Sequence, residues 1–262
     1  MKVKLAVLGA VALLTGIGIA NRSSSLPERE QAQTVLVETE TGWGSAVTIK
    51  RGGMCFAWTA AHVVDKSASV KVHRIIRYHG RKAGDYVCNA HVLKLLPKQD
   101  IALLLIEGDP SLFKDSFFSH SPGKPGDKVT HVGNVFGPKL DTSFEAGVVS
   151  QNGVKIDEED CLLDQGSFAV APGCSGGPVF NTAGYVIGIA VVYGGPGISL
   201  YVPVWELEDA AAAANLHWAV RGYSHAPERE LSELIAAREK EIAAQAPRDL
   251  IQLLFGGPTG NK

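Results

Sequence analysis

Three residues of the right types for acyl transfer stand far apart in the chain, each in its own apolar frame. They are His62 in WTAAHVV, Asp100 in KQDIALLLI and Ser175 in PGCSGGP. Attack by a hydroxyl on a carbonyl needs a base to take the hydroxyl proton, an acid to orient that base, and N–H donors for the developing oxyanion. Singly, each residue is weak. A His after a strand is usually structural or solvated, and an Asp opening a strand is ordinarily a turn or capping residue. Together, in this order, they form a catalytic constellation. The loop around Ser175 adds a thiol beside the hydroxyl at Cys174 and glycines at 173, 176 and 177. Glycine reaches the dihedrals that aim successive N–H groups at one point, and it lets a substrate backbone approach closely.

The elements that must position these residues are short and β-like. Between Thr34 and Val204, apolar stretches rich in Val and Ile alternate with Gly, Pro and Asp, at 34–38, 44–49, 69–72, 86–95, 101–106, 128–132, 168–170, 179–180, 185–192 and 198–202. Many strands at this spacing, without helices between them, predict an all-β antiparallel sandwich or barrel. The longer connection 108–127, with Pro110, Pro122 and Pro125, divides the strands into two groups of similar size, which fits two small barrels with a cleft between them. After Pro203 the text VWELEDAAAAAN reads as a helix. A second helix begins near Pro227, carries Leu231, Leu234, Ile235 and Ile242 on one side and is expected to stop at Pro247. The division predicted is a leader at 1–20, a linker at 21–33, barrels at 34–110 and 127–204 joined by 111–126, and a helical extension at 205–262.

The blocks TAAH, DIALL and GxSGGP resemble the three signature blocks of the trypsin-like serine proteases, in that family's order of His, Asp and Ser. HVGNVFG (131–137), GVVS (147–150) and the run 175–189 resemble the bacterial Do-like, or high-temperature-requirement, branch. The similarity covers roughly 34–215, and no stretch long enough for a PDZ domain follows it. It implies two antiparallel six-stranded barrels with the active site in the cleft between them, plus the C-terminal helices. It also implies a triad of His62, Asp100 and Ser175, an oxyanion hole at the N–H groups of Gly173 and Ser175, and a substrate pocket near Ala169, Val170, Ala190, Val191 and Val192. None of these five is acidic, and the GxH text of Glu- and Gln-selecting relatives is missing, so a small or medium apolar residue is expected before the scissile bond.

The same resemblance distinguishes the thiol from the hydroxyl. Viral cysteine proteases of this fold have Gly directly after the nucleophile and Gly two residues before it. Ser175 has both; Cys174 is followed by Ser175 and preceded at that spacing by Pro172. In the digestive branch of the family, an Asp at the position of Cys174 binds a newly released N-terminal amine. A neutral thiol cannot make that charge pair, and the first strand, TVLVETETG, lacks an IVGG-like start, so no such activation is expected.

Composition limits the alternatives. With 262 residues, 45% hydrophobic and 20% charged, the chain can build a sizeable core. A net charge of -2 argues against nucleic acid as a partner, and the basic run HRIIRYHGRK (73–82) reads as a solvated hairpin. Lys2 and Lys4 precede an uncharged apolar run from 5 to 20 that ends in small residues, followed by Asn21, Arg22 and three serines. This is a secretory signal or a short membrane anchor, and it predicts export. Four cysteines, Cys55, Cys88, Cys161 and Cys174, allow two disulfides in three connectivities. No ligand-spaced Cys/His cluster is present, so neither metal nor organic cofactor is expected. The reading is a serine endopeptidase acting on polypeptides. The alternative is a trypsin-fold binding or scaffold protein without useful catalysis.

Overall fold

The uninterrupted apolar run IALLLI needs cover on both faces, and the structure supplies it. The computed structural model describes residues 25–78, 81–139, 142–156, 161–221 and 228–255; the leader at 1–20 lies outside them. Strands β1 (Thr34–Glu38), β2 (Trp43–Arg51), β3 (Met54–Ala60), β4 (Ser69–Tyr78), β5 (Arg81–Leu96) and β6 (Ile101–Ile106) close one antiparallel barrel in the order β1-β2-β3-β6-β5-β4. Strands β7 (Lys128–Gly133), β8 (Ser143–Val154), β9 (Leu163–Gly166), β10 (Pro178–Asn181), β11 (Val186–Gly195) and β12 (Ile198–Pro203) close a second, in the order β10-β11-β12-β9-β8-β7. Helix α1 (Leu26–Ala32) precedes the first barrel and α2 (Ala61–Val64) follows β3. After the second barrel come α3 (Val204–Ala213), α4 (Trp218–Arg221) and α5 (Glu228–Phe255).

Side-chain alternation explains how the helices attach. On β3 and β6, Cys55, Ala57, Ala102, Leu104 and Ile106 fill the first barrel. Their neighbours Phe56, Trp58, Ile101 and Leu103 point the other way, into a larger apolar cluster shared with Ile189, Val202, Leu207, Ala211, Val220 and Leu231. Both faces of these strands are therefore buried, which is why they read as continuous apolar runs. The second barrel has a smaller interior of Val129, Val149, Phe168, Val179, Ile187, Ala190 and Tyr201. Polar bonds fix the helices on this apolar base: Trp58 Nε1 donates to the Ala219 carbonyl at 3.1 Å and Arg51 Nε to the Trp218 carbonyl at 3.0 Å.

Three local readings change. The 168–170 stretch is not a strand; the pairing strand is 163–166, because Phe168 leaves the ladder to bury its ring in the barrel. The basic run does form a hairpin of β4 and β5, with Tyr78 opposite Arg81, but His73 is buried in it between Glu38 at 2.7 Å and Asp85 at 3.1 Å. Helix α5 continues past Pro247 to Phe255, forgoing the one N–H that proline cannot offer. No disulfide joins the four cysteines, and burial pushes Cys55 up to about 12 and Cys88 up to about 11.

Helix α1 bridges the barrels. Gln33 Nε2 donates to the Asp115 carbonyl at 2.8 Å in the connection, and Gln31 Nε2 to the Thr142 carbonyl at 3.2 Å beside β8. Glu30 on the same helix is 1% exposed, and neither carboxyl oxygen has a partner among the described residues. Burial raises it from 4.5 to about 7. A raised carboxyl contributes stability below its unfolded value and loses it as pH rises through the folded one. Stability should therefore fall between pH 4.5 and 7 by up to about 3 kcal/mol on this account. In urea titrations at pH 5 and pH 8, Glu30→Gln is expected to gain about 3 kcal/mol on the parent between the two pH values; a parent-to-variant difference that is the same at both would remove Glu30 as the source.

Candidate active site

Asp100 is set by the backbone before its side chain acts. A single 3₁₀ turn, Pro97–Gln99, ends on Asp100 in the left-handed region, φ 51° and ψ 42°, which Asp tolerates better than most residues. Its carbonyl accepts the Ala61 N–H at 2.9 Å, and its Oδ1 accepts the His62 N–H at 2.8 Å. The start of α2 is thereby tied to the start of β6. The second carboxyl oxygen, Oδ2, lies 2.5 Å from His62 Nδ1. A proton on Nδ1 donated to this carboxylate leaves Nε2 with its lone pair, which is the form a general base requires. The Asp100 side chain is 13% exposed and the imidazole 48%, so the carboxylate is sheltered while the imidazole faces solvent.

The Ser175 loop is built from reverse bonds and two glycines that no other residue can replace. Cys174 N–H donates to the Ala171 carbonyl, and Gly177 N–H to the Cys174 carbonyl, both at 2.9 Å. Gly173 has φ 98°, and a Cβ there would lie 2.2 Å from the Asn134 carbonyl oxygen. Gly176 has φ 85°, and a Cβ there would lie 2.1 Å from the Ser45 carbonyl oxygen. Among the described residues, the N–H groups of Gly173 and Ser175 have no acceptor within the chain. The Ser175 segment and the His62 segment meet over Gly44, where a Cβ would lie 2.7 Å from Val63 and 3.0 Å from the Ser175 carbonyl.

Two buried residues that the sequence reading did not single out hold this loop. Ser45 on β2, fully buried, donates its N–H to the Ser175 carbonyl and its Oγ to the Gly173 carbonyl, both at 2.7 Å. Asn134, after β7, donates its N–H to Ser45 Oγ at 2.8 Å and its Nδ2 to the Val35 carbonyl at 3.0 Å, while its Oδ1 accepts from Thr142 Oγ1 at 3.0 Å. Asn134 lies in the HVGNVFG block, so its motif was visible although its role was not.

A cavity of about 370 Å³ opens beside Ser175, lined by Val170, Ala171, Pro172, Cys174, Ser175, Ala190 and Val191. Of the pocket residues expected from the sequence, Val170, Ala190 and Val191 line it. Ala169 does not: it is exposed, because the buried Phe168 ring before it turns Ala169 outward. The Val192 side chain lies outside the described residues. Cys174 is 1% exposed, and burial raises its thiol, which opposes the thiolate a nucleophile would need.

Below the loop lies a fully buried imidazole. His131 on β7 shares its Nδ1 proton with the Pro178 carbonyl at 3.2 Å and stacks on Phe168 with ring centroids 5.1 Å apart. Its Nε2 has no partner among the described residues, and a Cβ on Gly133 would lie 2.8 Å from that nitrogen and 3.0 Å from Cys174 Sγ.

With the geometry in view, comparison assigns the class. Residues 44–189 match the model of the trypsin-like peptidase domain, and the chain belongs to that family. It is 30% identical over 159 residues to the serine protease Do-like HtrA of Bacillus subtilis, covering 58% of this chain and 34% of that one. A probable periplasmic serine endoprotease, DegP-like, of Marinomonas is 33% identical over 166 residues, covering 61% of this chain and 33% of its own length. The chain thus matches about a third of these relatives. The Rv3671c protease of M. tuberculosis, solved in its inactive form, superposes with a TM-score of 0.59 at 22% identity, over 72% of this chain and 91% of that one; it supports the fold.

Burial holds His131 down from 6.5 to about 4. A depressed group contributes stability above its unfolded value and loses it as pH falls toward the folded one, so the protein should lose about 3 kcal/mol between pH 6.5 and 4 on this account. His131→Phe keeps the stack and forfeits one hydrogen bond. It should be about 1 kcal/mol less stable at pH 7.5 and overtake the parent by pH 4.5, as read from paired denaturation curves; parallel curves would sink the assignment.

Proposed function

We propose that the chain is an exported serine endopeptidase that hydrolyses polypeptides through an acyl-enzyme, with His62, Asp100 and Ser175 as its triad. The observation that carries the reading is the pair of bonds from Asp100 to His62. It is supported by membership of the trypsin-like peptidase family. One carboxylate orients the backbone at 2.8 Å and the imidazole at 2.5 Å, leaving Nε2 as base.

In this mechanism the Ser175 Oγ bonds to the scissile carbonyl carbon while its proton passes to His62 Nε2. The oxyanion takes hydrogen bonds from the free N–H groups of Gly173 and Ser175. His62 then delivers its proton to the amine nitrogen as the C–N bond breaks. Water repeats the cycle on the acyl-enzyme and releases the acid. Asp100 stays ionised and supports the imidazolium. Export is supported by the leader pattern at 1–20 and by the description of the Marinomonas relative as periplasmic.

The pocket supports preference for a small or medium apolar residue before the scissile bond. Its lining holds no charged side chain, so a buried Lys, Arg or Asp would find no partner there. Peptides with Ala, Val or Leu at that position should exceed Arg or Asp analogues by about 100-fold in kcat/KM, which is roughly 3 kcal/mol.

A fluorophosphonate should label Ser175, located by mass spectrometry, and should not label Ser175→Ala. A folded chain that resists labelling would move the binding-protein reading into first place. Ser45→Ala removes the hydroxyl that holds the Gly173 carbonyl and leaves its buried partners short of a bond. Its kcat should drop about 10- to 100-fold with KM little changed, measured on the best peptide.

A further inference from the structure

Helix α2 has four residues, too few to satisfy its own closing carbonyls, yet it carries His62. Its N-terminal side is held by Asp100. Its C-terminal side is held from a distance of more than 170 residues, by Arg238 on α5. That guanidinium is 3% exposed. Its Nε donates to the Ser67 carbonyl at 3.3 Å, and its Nη2 donates to the Val64 carbonyl at 3.4 Å and, more closely, to the Asp65 carbonyl. Nη1 pairs with Glu241, one turn along α5, at 2.8 Å.

We propose that Arg238 is a positioning residue for the catalytic histidine, and that α5 is thereby a working part of the site; this rests on the reading of His62 given above. A buried guanidinium must find acceptors for its N–H groups, and Arg238 reaches the Asp65 and Ser67 carbonyls just beyond α2 and the Val64 carbonyl that also accepts the Ser67 N–H at 3.0 Å. The planar fork holds three carbonyls, those of Val64, Asp65 and Ser67, in one arrangement, which a point charge cannot do.

Apolar packing holds the body of α2 through Ala61 and Val64 in the first barrel's core, and the carbonyls that follow are held by Arg238. Leu231 is 5% exposed and anchors the first turns of α5 in the shared cluster, with Leu234 and Ile235 packed against it. Beside this packing on β5, a cavity of about 660 Å³ lies between α5 and the α2 turn, lined by Asp65, Lys66, Lys94, Pro97, Ala237 and Gln245 among others. Arg238 lines it too, and its guanidinium reaches the turn. When it lets go, α2 keeps its Asp100 bonds and the Val64 anchor but loses the side-chain hold on the Asp65 and Ser67 carbonyls, so the imidazole can tilt about the Asp100 bonds.

The test reads the imidazole and the turnover in the full chain. The Nδ1–H of His62, shared with Asp100 at 2.5 Å, should give a far-downfield proton resonance, identified by its loss in His62→Gln. In Arg238→Met this resonance should broaden or vanish, and kcat should fall at least about 30-fold with KM within about twofold. Arg238→Lys should recover part of both, leaving a deficit of about 3- to 10-fold in kcat. Glu239→Gln, on the exposed side of α5, should match the parent. An intact resonance and kcat within twofold of the parent in a folded Arg238→Met would overturn the proposal. Should that variant fail to fold, Arg238→Lys decides on the same two readouts, with parental values overturning it. The resonance does not depend on Ser175 reacting, so failure of the clamp is distinguishable from failure of the protease reading.

Discussion

The hydroxyl of Ser45 is the point on which the two barrels and the Ser175 loop depend together. It donates to the Gly173 carbonyl and accepts from Asn134, while the Ser45 N–H takes the Ser175 carbonyl and its carbonyl takes Thr59 Oγ1 at 2.7 Å. One residue on β2 of the first barrel thus fixes a loop of the second. Turning the Gly173 carbonyl inward to Ser45 leaves the N–H of the same residue facing outward. Because Ser45 is fully buried, losing any member of this network leaves a polar atom without water to replace it. The close approach explains the glycines at 173 and 176: the space a Cβ would need is already filled by carbonyl oxygens.

Much of this was legible in the sequence where local chemistry and local geometry coincide. Strands 34–38 and 101–106 begin and end where the apolar runs do, and the helix from 204 follows the Ala-rich text. Phe168 misled because it is apolar for the barrel interior and not for pairing; nothing local distinguishes a ring that plugs a barrel from one that lines a strand. Ser45, Asn134 and Arg238 stayed hidden for a different reason. Each is an ordinary polar residue in its own neighbourhood, and its partners lie 128, 89 and 171 positions away, so only closure of the fold reveals them.

The floor of the Ser175 loop is neutral. Where the digestive branch uses an ion pair at the residue before the nucleophile, this chain has an un-ionised thiol packed near an uncharged imidazole and an aromatic ring. A charge pair is formed only when its partner arrives, whereas packed apolar groups hold their arrangement from the moment of folding. The consequence is a loop held by Ser45 of the first barrel and by neutral packing in the second, with no charge pair at Cys174.

Neutral burial of titratable groups sets a further constraint, and here the two instances offset each other. Between about pH 4.5 and 6.5 the folded protein keeps Glu30 protonated and His131 unprotonated, the reverse of what each prefers in water. Unfolding in that range therefore releases a proton at one site and takes one up at the other. The slopes of stability against pH are opposite in sign and similar in size, so their sum is nearly flat there although each alone is steep. Removing either group exposes the slope of the other. The same pairing places the two groups on the two sides of the barrel interface: Glu30 on the helix that spans it, His131 beneath the loop that Ser45 holds across it.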